Sequence, residues 1–352
     1  MNKIILKSGY TTGTHSTALV GAIFYNYFFS IVKTNICVRL PDLSIASIDV
    51  FVKNGIYFTQ KVYNDDLDVT KGIFIYVLLR NELPKNLKPQ NPSILNINNS
   101  NLFVYAGDGV GVVTKKGLKI PPNYPAINPV PLDMMRNIIK DIIKDREFND
   151  LHIIFGIKDG EEIALKTANK KVGVIGGLSI LGTKGIVKPI SSSAYIDSIA
   201  VEISVLNALG EDIVVFTLGN SAYDYAKRYY KEQNIIEIGN FVYESLQLLY
   251  NSNFKKILFI TSVAKMAKVA QGCKNTHNRF GGINFQEINR WLESINISPQ
   301  KEVTLKGVLE NLLDNEIEKF LKLLHEKSSR QLKLWLQERN DIKVESLILY
   351  KN

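Results

Sequence analysis

Lys171-Val-Gly-Val-Ile-Gly-Gly-Leu-Ser-Ile-Leu-Gly-Thr-Lys-Gly-Ile-Val187 begins as an apolar, β-branched run. It ends as a loop in which Gly176, Gly177, Gly182 and Gly185 are interleaved with Ser179 and Thr183. The run predicts a buried strand. The loop predicts a ligand cradle, since glycine lets backbone come close to a bound group while hydroxyls and free N–H groups hold its oxygens. It is not the G-x-G-x-x-G fingerprint, and no Gly-Lys-Ser/Thr triplet occurs, so neither a dinucleotide nor a P-loop reading is licensed. A tight strand-to-helix connection is the plainer alternative, and the flanking chain has to decide between the two.

Downstream, strands and helices alternate. Ala194 to Leu209 reads as a helix, Ile213 to Leu218 as a strand, and Gly219-Asn220-Ser221 as a turn opening a helix to Tyr230. The unit repeats with Ile235 to Ile238 and Phe241 to Tyr250, then with Lys256 to Ile260 and Ala264 to Ala270. This spacing predicts a Rossmann-like three-layer α/β/α domain over 171–352 with a mainly parallel sheet. Ligands of such sheets sit beyond the carboxyl ends of the strands, so the glycine loop and the Asn220 turn are expected on one rim. In the tail, Leu309 to Leu324 reads as an amphipathic helix, Leu334 and Trp335 mark a second helix, and Val344 to Tyr350 is a last strand. Such stripes are packing faces, and no chemistry is assigned to them.

Upstream, residues 1–170 predict an α+β domain with a mostly antiparallel sheet. Ser8-Gly-Tyr-Thr-Thr-Gly-Thr14 is a small-residue loop, with Thr14 as the expected N-cap of a helix through Ala18 to Ile31. Ile36–Leu40, 45–52, 56–62 and 72–79 are short β-rich runs, and Asp65, Asp66 and Asp68 read as turn residues and not as a calcium loop. In Ala106-Gly-Asp-Gly-Val-Gly-Val-Val113, alternating glycines either thin one face for a bulky ligand facing Asp108 or soften a hairpin with Asp108 in its turn. Pro121 to Pro131 holds five of the eleven prolines and must be extended, leading into a helix from Leu132 to Lys144. Leu151 to Phe155 returns to the first sheet.

At 352 residues, 45% hydrophobic and 22% charged, the chain can bury two cores. No apolar run reaches the length of a membrane span, and the N-terminal apolar core is too short for a secretory signal, which predicts a cytoplasmic protein without membrane partners. Cys37 and Cys273 are too few for a disulfide framework, and the four histidines lack ligand spacing, so no protein metal site is expected. The net charge of +9 is spread from Lys3 to Lys351 among acidic residues. That excludes the basic stripe of a nucleic-acid binder and suits a substrate with many carboxylates.

Several stretches together resemble one family, the cobalt-precorrin-5B methyltransferases of the CbiD type. They are Ser8 to Thr14, Asp65-Asp-Leu-Asp-Val-Thr70, Ala106 to Thr114, Pro125-Ala-Ile-Asn-Pro-Val-Pro131, Val174 to Val187 and Gly272-Cys-Lys-Asn-Thr-His277, in family order over roughly residues 8–280. The resemblance implies methyl transfer from S-adenosylmethionine to carbon 1 of cobalt-precorrin-5B, giving cobalt-precorrin-6A in anaerobic cobalamin (vitamin B12) biosynthesis. The metal arrives within the anionic tetrapyrrole.

On that basis Gly176, Gly177, Ser179, Gly182, Thr183, Gly185 and Asn220 are expected to hold the donor. Thr11, Thr12, Gly13, Thr14, Gly107, Gly109, Gly111 and Asn128 are expected to face the ring, with Asp108 first and His277 second as catalytic groups. This chain has His15 where the family usually has Cys, Thr261-Ser-Val-Ala-Lys265 for Gly-His-x-Gly-Lys, and Asn278-Arg-Phe-Gly-Gly282 for an acidic, arginine-containing segment. A cysteine nucleophile is therefore not required. A non-catalytic tetrapyrrole carrier is the competing reading, and assembly as a homo-oligomer is compatible with either.

Overall fold

The structure, a computed structural model, describes residues 8–61, 69–83, 85–187, 192–337, 339 and 341–350. The chain forms two compact units, Met1–Ser191 and Ser192–Asn352. The turn expected at Asp65, Asp66 and Asp68 lies outside the described residues.

Unit 1 opens with β1 (Gly9–Tyr10) and α1 (Thr12–Phe29), and continues with β2 (Asn35–Arg39), β3 (Ile45–Asp49), β4 (Phe51–Lys53), β5 (Ile56–Gln60), β6 (Phe74–Arg80), β7 (Ser93–Ile97) and β8 (Ser100–Ala106). The two-residue strands β9 (Gly109–Val110) and β10 (Val112–Val113) follow, then α2 (Pro129–Ile143), β11 (Leu151–Ile157), α3 (Gly160–Ala164), β12 (Val174–Ile175), β13 (Gly177–Leu178) and β14 (Ile186–Val187).

The main sheet runs β4-β5-β6-β11-β8-β7, antiparallel except where β11 lies parallel to β8. Two-residue alternation sets its buried face, with Ile75, Val77, Leu102, Val104, Ile153 and Phe155 inside. The parallel pair requires a crossover, which α2 supplies. Helix α1 is buried from Thr12 through Phe24. Its N-cap is Thr11 and not Thr14. Thr11 has the extended backbone a cap needs, and its hydroxyl accepts from the Thr14 N–H at 3.2 Å, so the helix starts well before Ala18.

Unit 2 consists of α4 (Ser192–Ala208), β15 (Ile213–Leu218), α5 (Asn220–Lys227), β16 (Ile235–Glu237), α6 (Val242–Gln247), β17 (Lys256–Ser262), α7 (Val263–Ala270), α8 (Phe285–Glu293), α9 (Leu305–Glu310), α10 (Asp314–Leu336) and β18 (Lys343–Leu349). All four strands are parallel, in the order β16-β15-β17-β18. Alternate residues serve the two faces. Val214, Phe216, Ile257 and Phe259 share a core with Ile199, Met266 and Phe320, while Val215, Leu258 and Ile260 pack with Ala222 and Ala226 of α5. This is the expected three-layer α/β/α arrangement. Leu334 and Trp335 do not start a second tail helix, because α10 runs unbroken to Leu336. Among the described residues no helix is long and apolar enough to cross a membrane.

The 171–187 stretch does not belong to this parallel sheet. Val174 and Ile175 pair antiparallel with Val113 and Val112, and Gly177 and Leu178 pair parallel with Gly109 and Val110. Its partners are all in unit 1, so the division falls after Ser191 and not after residue 170. The loop is therefore not at the carboxyl edge of the parallel sheet that carries Asn220; the two belong to different units.

Candidate functional site

The structure gathers most of the expected site residues into one braid in unit 1. Tyr10 pairs with Ile186, Val112 bridges to Pro125, and Ile127 bridges to Ile180. The Thr11 N–H reaches the Gly185 carbonyl (3.0 Å) and Gly13 reaches Leu181 (2.8 Å). Gly111 donates to Leu178 (2.9 Å) and Asn128 to Ile180 (3.0 Å).

Within the braid the hydroxyls of Thr11, Thr12 and Thr14 are already in use, whereas those of Ser179 and Thr183 make no hydrogen bond among the described residues. Thr12 accepts from the Leu181 N–H at 2.8 Å and faces the Ser179 and Leu181 carbonyls, while the Thr14 hydroxyl donates to the Gly185 carbonyl at 2.8 Å. Thr11, Thr12 and Thr14 are all buried. From outside, Lys88 donates to the Gly176 carbonyl at 2.9 Å and Asn169 to the Gly177 carbonyl at 3.1 Å.

Glycine is required here by packing. A Cβ on Gly109 would stand 1.9 Å from the Ile157 carbonyl oxygen, and one on Gly177 would stand 2.2 Å from Gly109. Both have positive φ, 72° and 156°. The thinned faces are thus filled by neighbouring backbone. Gly182 lies likewise against the Thr11 side chain and Gly107 against Ile154 and Phe155.

Asp108 occupies the turn closed by the Val110 N–H and the Gly107 carbonyl (3.2 Å), with its own carbonyl accepting from Ile157 (2.8 Å). Its carboxylate is exposed. The phenol of Tyr76 is held above its ordinary range by burial first and by the Asp108 charge second. Exposed Thr183, Ile175 and Leu181 stand on the same braid.

Behind it, in the first turn of α1, His15 is buried. Its Nδ1 lies 3.0 Å from the Thr59 hydroxyl and its Nε2 has no partner. Burial, and then the Lys61 charge, depress its pKa to about 4, so the ring is neutral near pH 7.

The remaining expected residues lie in unit 2. His277 is exposed and caps a short helical turn, its Nδ1 accepting from the Arg279 N–H at 3.2 Å, which is a structural use of the ring. The Gly272–His277 segment is anchored through Thr276. Its N–H donates to the Asn240 carbonyl (3.0 Å), and its own carbonyl accepts from buried Lys268 (3.1 Å). Lys268 also donates to Asn278 (2.6 Å) and Gly281 (3.2 Å).

Asn220 is the first residue of α5, at the carboxyl end of β15. Glu237 ends β16, and Thr261 and Ser262 end β17. Tyr195 donates to the Glu237 carbonyl at 3.2 Å, and its phenol is pushed up to about 12 by burial and then by Glu237 and Glu202.

No motif singles out Glu237, and Lys265 enters the sequence reading only as the end of the Thr261–Lys265 run. Strand order places Glu237 at the end of β16 and Lys265 in the helix after β17, and these two strands flank β15. Among the described residues no group of three or more His, Cys, Asp or Glu side chains could hold a metal ion.

The CbiD family model matches residues 1–189, nearly the whole of unit 1. A protein from Thermoanaerobacter named cobalt-precorrin-5B C(1)-methyltransferase is 37% identical over 282 residues, 78% of this chain and 72% of that one. Proteins of the same name from Picrophilus torridus (32% identical; 87% of each chain) and Methanocaldococcus jannaschii (34%; 91% of this chain, 84% of that one) are also similar. A solved structure of a cobalamin biosynthesis protein (cbiD) from Archaeoglobus fulgidus aligns loosely, with a TM-score of 0.40 and 22% identity over 76% of this chain and 81% of that one.

Proposed function

The chain belongs to the CbiD family, and from that premise we propose that it methylates carbon 1 of cobalt-precorrin-5B with S-adenosylmethionine as donor. The observation that carries this reading is its similarity, across 78–91% of its length, to relatives named for that reaction.

The donor supplies a sulfonium-bound methyl group, and its transfer to carbon is an in-line displacement. What the chain provides is alignment and exclusion of water, the proximity term that can lower a barrier by roughly 7–11 kcal/mol. A rigid framework suits that task, and the braid is rigid because its backbone and hydroxyl groups hold one another. The ring's carboxylates favour a basic protein, in keeping with the net charge of +9.

Asp108 is the group on the braid with an exposed carboxylate, held by a tight turn beside Tyr76. It steers charge on the macrocycle or accepts the proton that the ring gives up as the new bond forms. Asp108→Asn should lower turnover at least a hundredfold, the scale of one positioned acid–base group, and leave donor affinity as it was. Unchanged turnover removes Asp108 from the chemistry.

The function itself is tested by incubating the chain with S-adenosylmethionine and cobalt-precorrin-5B and reading the product by mass. A gain of one methyl group, located at carbon 1, is expected. Tetrapyrrole binding without any gain of mass would make the chain a carrier instead.

A further inference from the structure

The strand order of unit 2 contains a topological switch point. From β15 the chain passes through α5 to β16 on one side of it, whereas β17 lies on the other side and leads on towards β18. Crevices for ligands open at such points, beyond the carboxyl ends of the strands.

Four observations converge there. First, Gly219 has φ +101°, and a Cβ added to it would meet only the Lys265 ammonium, at 3.5 Å. Its thin face is therefore not filled by backbone. Second, Lys265, in the first turn of α7, is half-buried yet makes no hydrogen bond or ion pair among the described residues. Burial, and then Lys268, lower its pKa, while Glu237 acts against them. A cation taken out of water is ordinarily paired, and Glu237 acts on this one only from beyond ion-pair distance. Third, the hydroxyls of Thr217 and Thr261 are fully buried without a partner. These two residues are the penultimate positions of β15 and β17, the strands that flank the switch point, with Thr217 on the α5 face of the sheet beside Glu237 and Thr261 on the opposite face. Fourth, the Glu237 carboxylate is exposed and unpaired at the end of the adjacent strand. It follows the glycine turn at about the spacing, roughly 20 residues, at which an acidic side chain binds ribose hydroxyls in this sheet architecture.

Separately, an exposed glutamate or a helix N-terminus carries little. Together they present an acceptor for a sugar diol, a glycine turn open to a flat group, and a cation awaiting a carboxylate. A nucleoside attached to an amino acid has those three features. We propose that this rim holds the methyl donor: Glu237 takes the ribose hydroxyls, the Gly219-Asn220 turn lies beneath the sugar, and Lys265 pairs with the amino-acid carboxylate. The proposal rests on the chain being an S-adenosylmethionine-dependent enzyme.

Calorimetry on the full chain with S-adenosylhomocysteine and with 5′-methylthioadenosine, which lacks the amino-acid carboxylate, tests it. Glu237→Gln should weaken both ligands roughly tenfold or more, the scale of a lost hydrogen bond to a charged group. Lys265→Met should weaken S-adenosylhomocysteine to a similar degree and leave 5′-methylthioadenosine unchanged. Each variant's melting temperature should match the parent's, since neither side chain has a partner in the fold. If both variants bind both ligands as tightly as the parent, while the parent methylates the tetrapyrrole, the rim is the wrong place and the function stands. A parent chain that binds neither ligand, even with the tetrapyrrole present, overturns the function and the rim together.

Discussion

The unit 1 braid and the unit 2 rim use the same residue types to opposite ends. In the braid, Gly109 and Gly177 face backbone, the Thr11, Thr12 and Thr14 hydroxyls are bonded, and Lys88, which lies against Gly176, caps a backbone oxygen. At the rim, Gly219 faces an ammonium, the Thr217 and Thr261 hydroxyls are unbonded, and Lys265 makes no ion pair among the described residues. The lesson is that a glycine–threonine motif reports close approach, and only the inventory of unspent polar groups says whether the thing approached is protein or ligand.

Substituting glycine in each place should separate the two most sharply. Gly109→Ala puts a methyl group into the Ile157 carbonyl at positive φ, and should cost about 4 kcal/mol or more in denaturant unfolding. Gly219→Ala meets only the flexible end of Lys265 at ordinary contact distance and should cost only the conformational strain, roughly 1–3 kcal/mol. Equal losses would break the comparison.

His15 is an exception that sharpens it, an unspent nitrogen inside unit 1 itself, next to the unspent hydroxyl of Ser16. Its folded pKa of about 4 lies below the ordinary 6.5, so on acidification the unfolded chain takes up the proton first. The contribution is complete above about pH 6.5 and is lost as pH falls towards 4, amounting to about 3 kcal/mol. A His15→Asn variant should lack this part of the acid slope in denaturation curves taken between those values. An identical slope would assign the acid sensitivity elsewhere.

Smaller still is the difference between two threonines. Thr12→Val strands the Leu181 N–H and should cost roughly 1–3 kcal/mol. Thr217→Val removes a hydroxyl with no partner and should be neutral or stabilising in unfolding measurements. If Thr217→Val costs as much as Thr12→Val, the rim hydroxyls are bonded after all.

Much of the fold is legible in local pattern. The runs at 213–218 and 256–260 are uninterrupted and β-branched, as buried parallel strands require, and the short runs between 36 and 80 alternate as half-buried strands do. The glycine stretch misleads because its strands are two residues long and pair with Val112 and Gly109, far upstream, which no local window can register. The same distance hides what the motifs do: Thr11, Thr12 and Thr14 read as free to face the ring until residues 181–185 are laid on them. Asp108 was legible as a turn residue, and its exposure followed from that turn. Glu237 and Lys265 were not legible, since their relation depends on β16 and β17 flanking β15.

The braid also governs how the chain reaches this state. Thr14 is tied to Gly185, 171 positions away, and among the described residues β1 pairs with Ile186 and Val187 alone. Contacts of such separation must wait for a large loop to close, which slows folding. On the ribosome, the N-terminal helix cannot acquire its final fastening until the last residues of the unit have emerged. A segment made early in the unit is among the last to be secured.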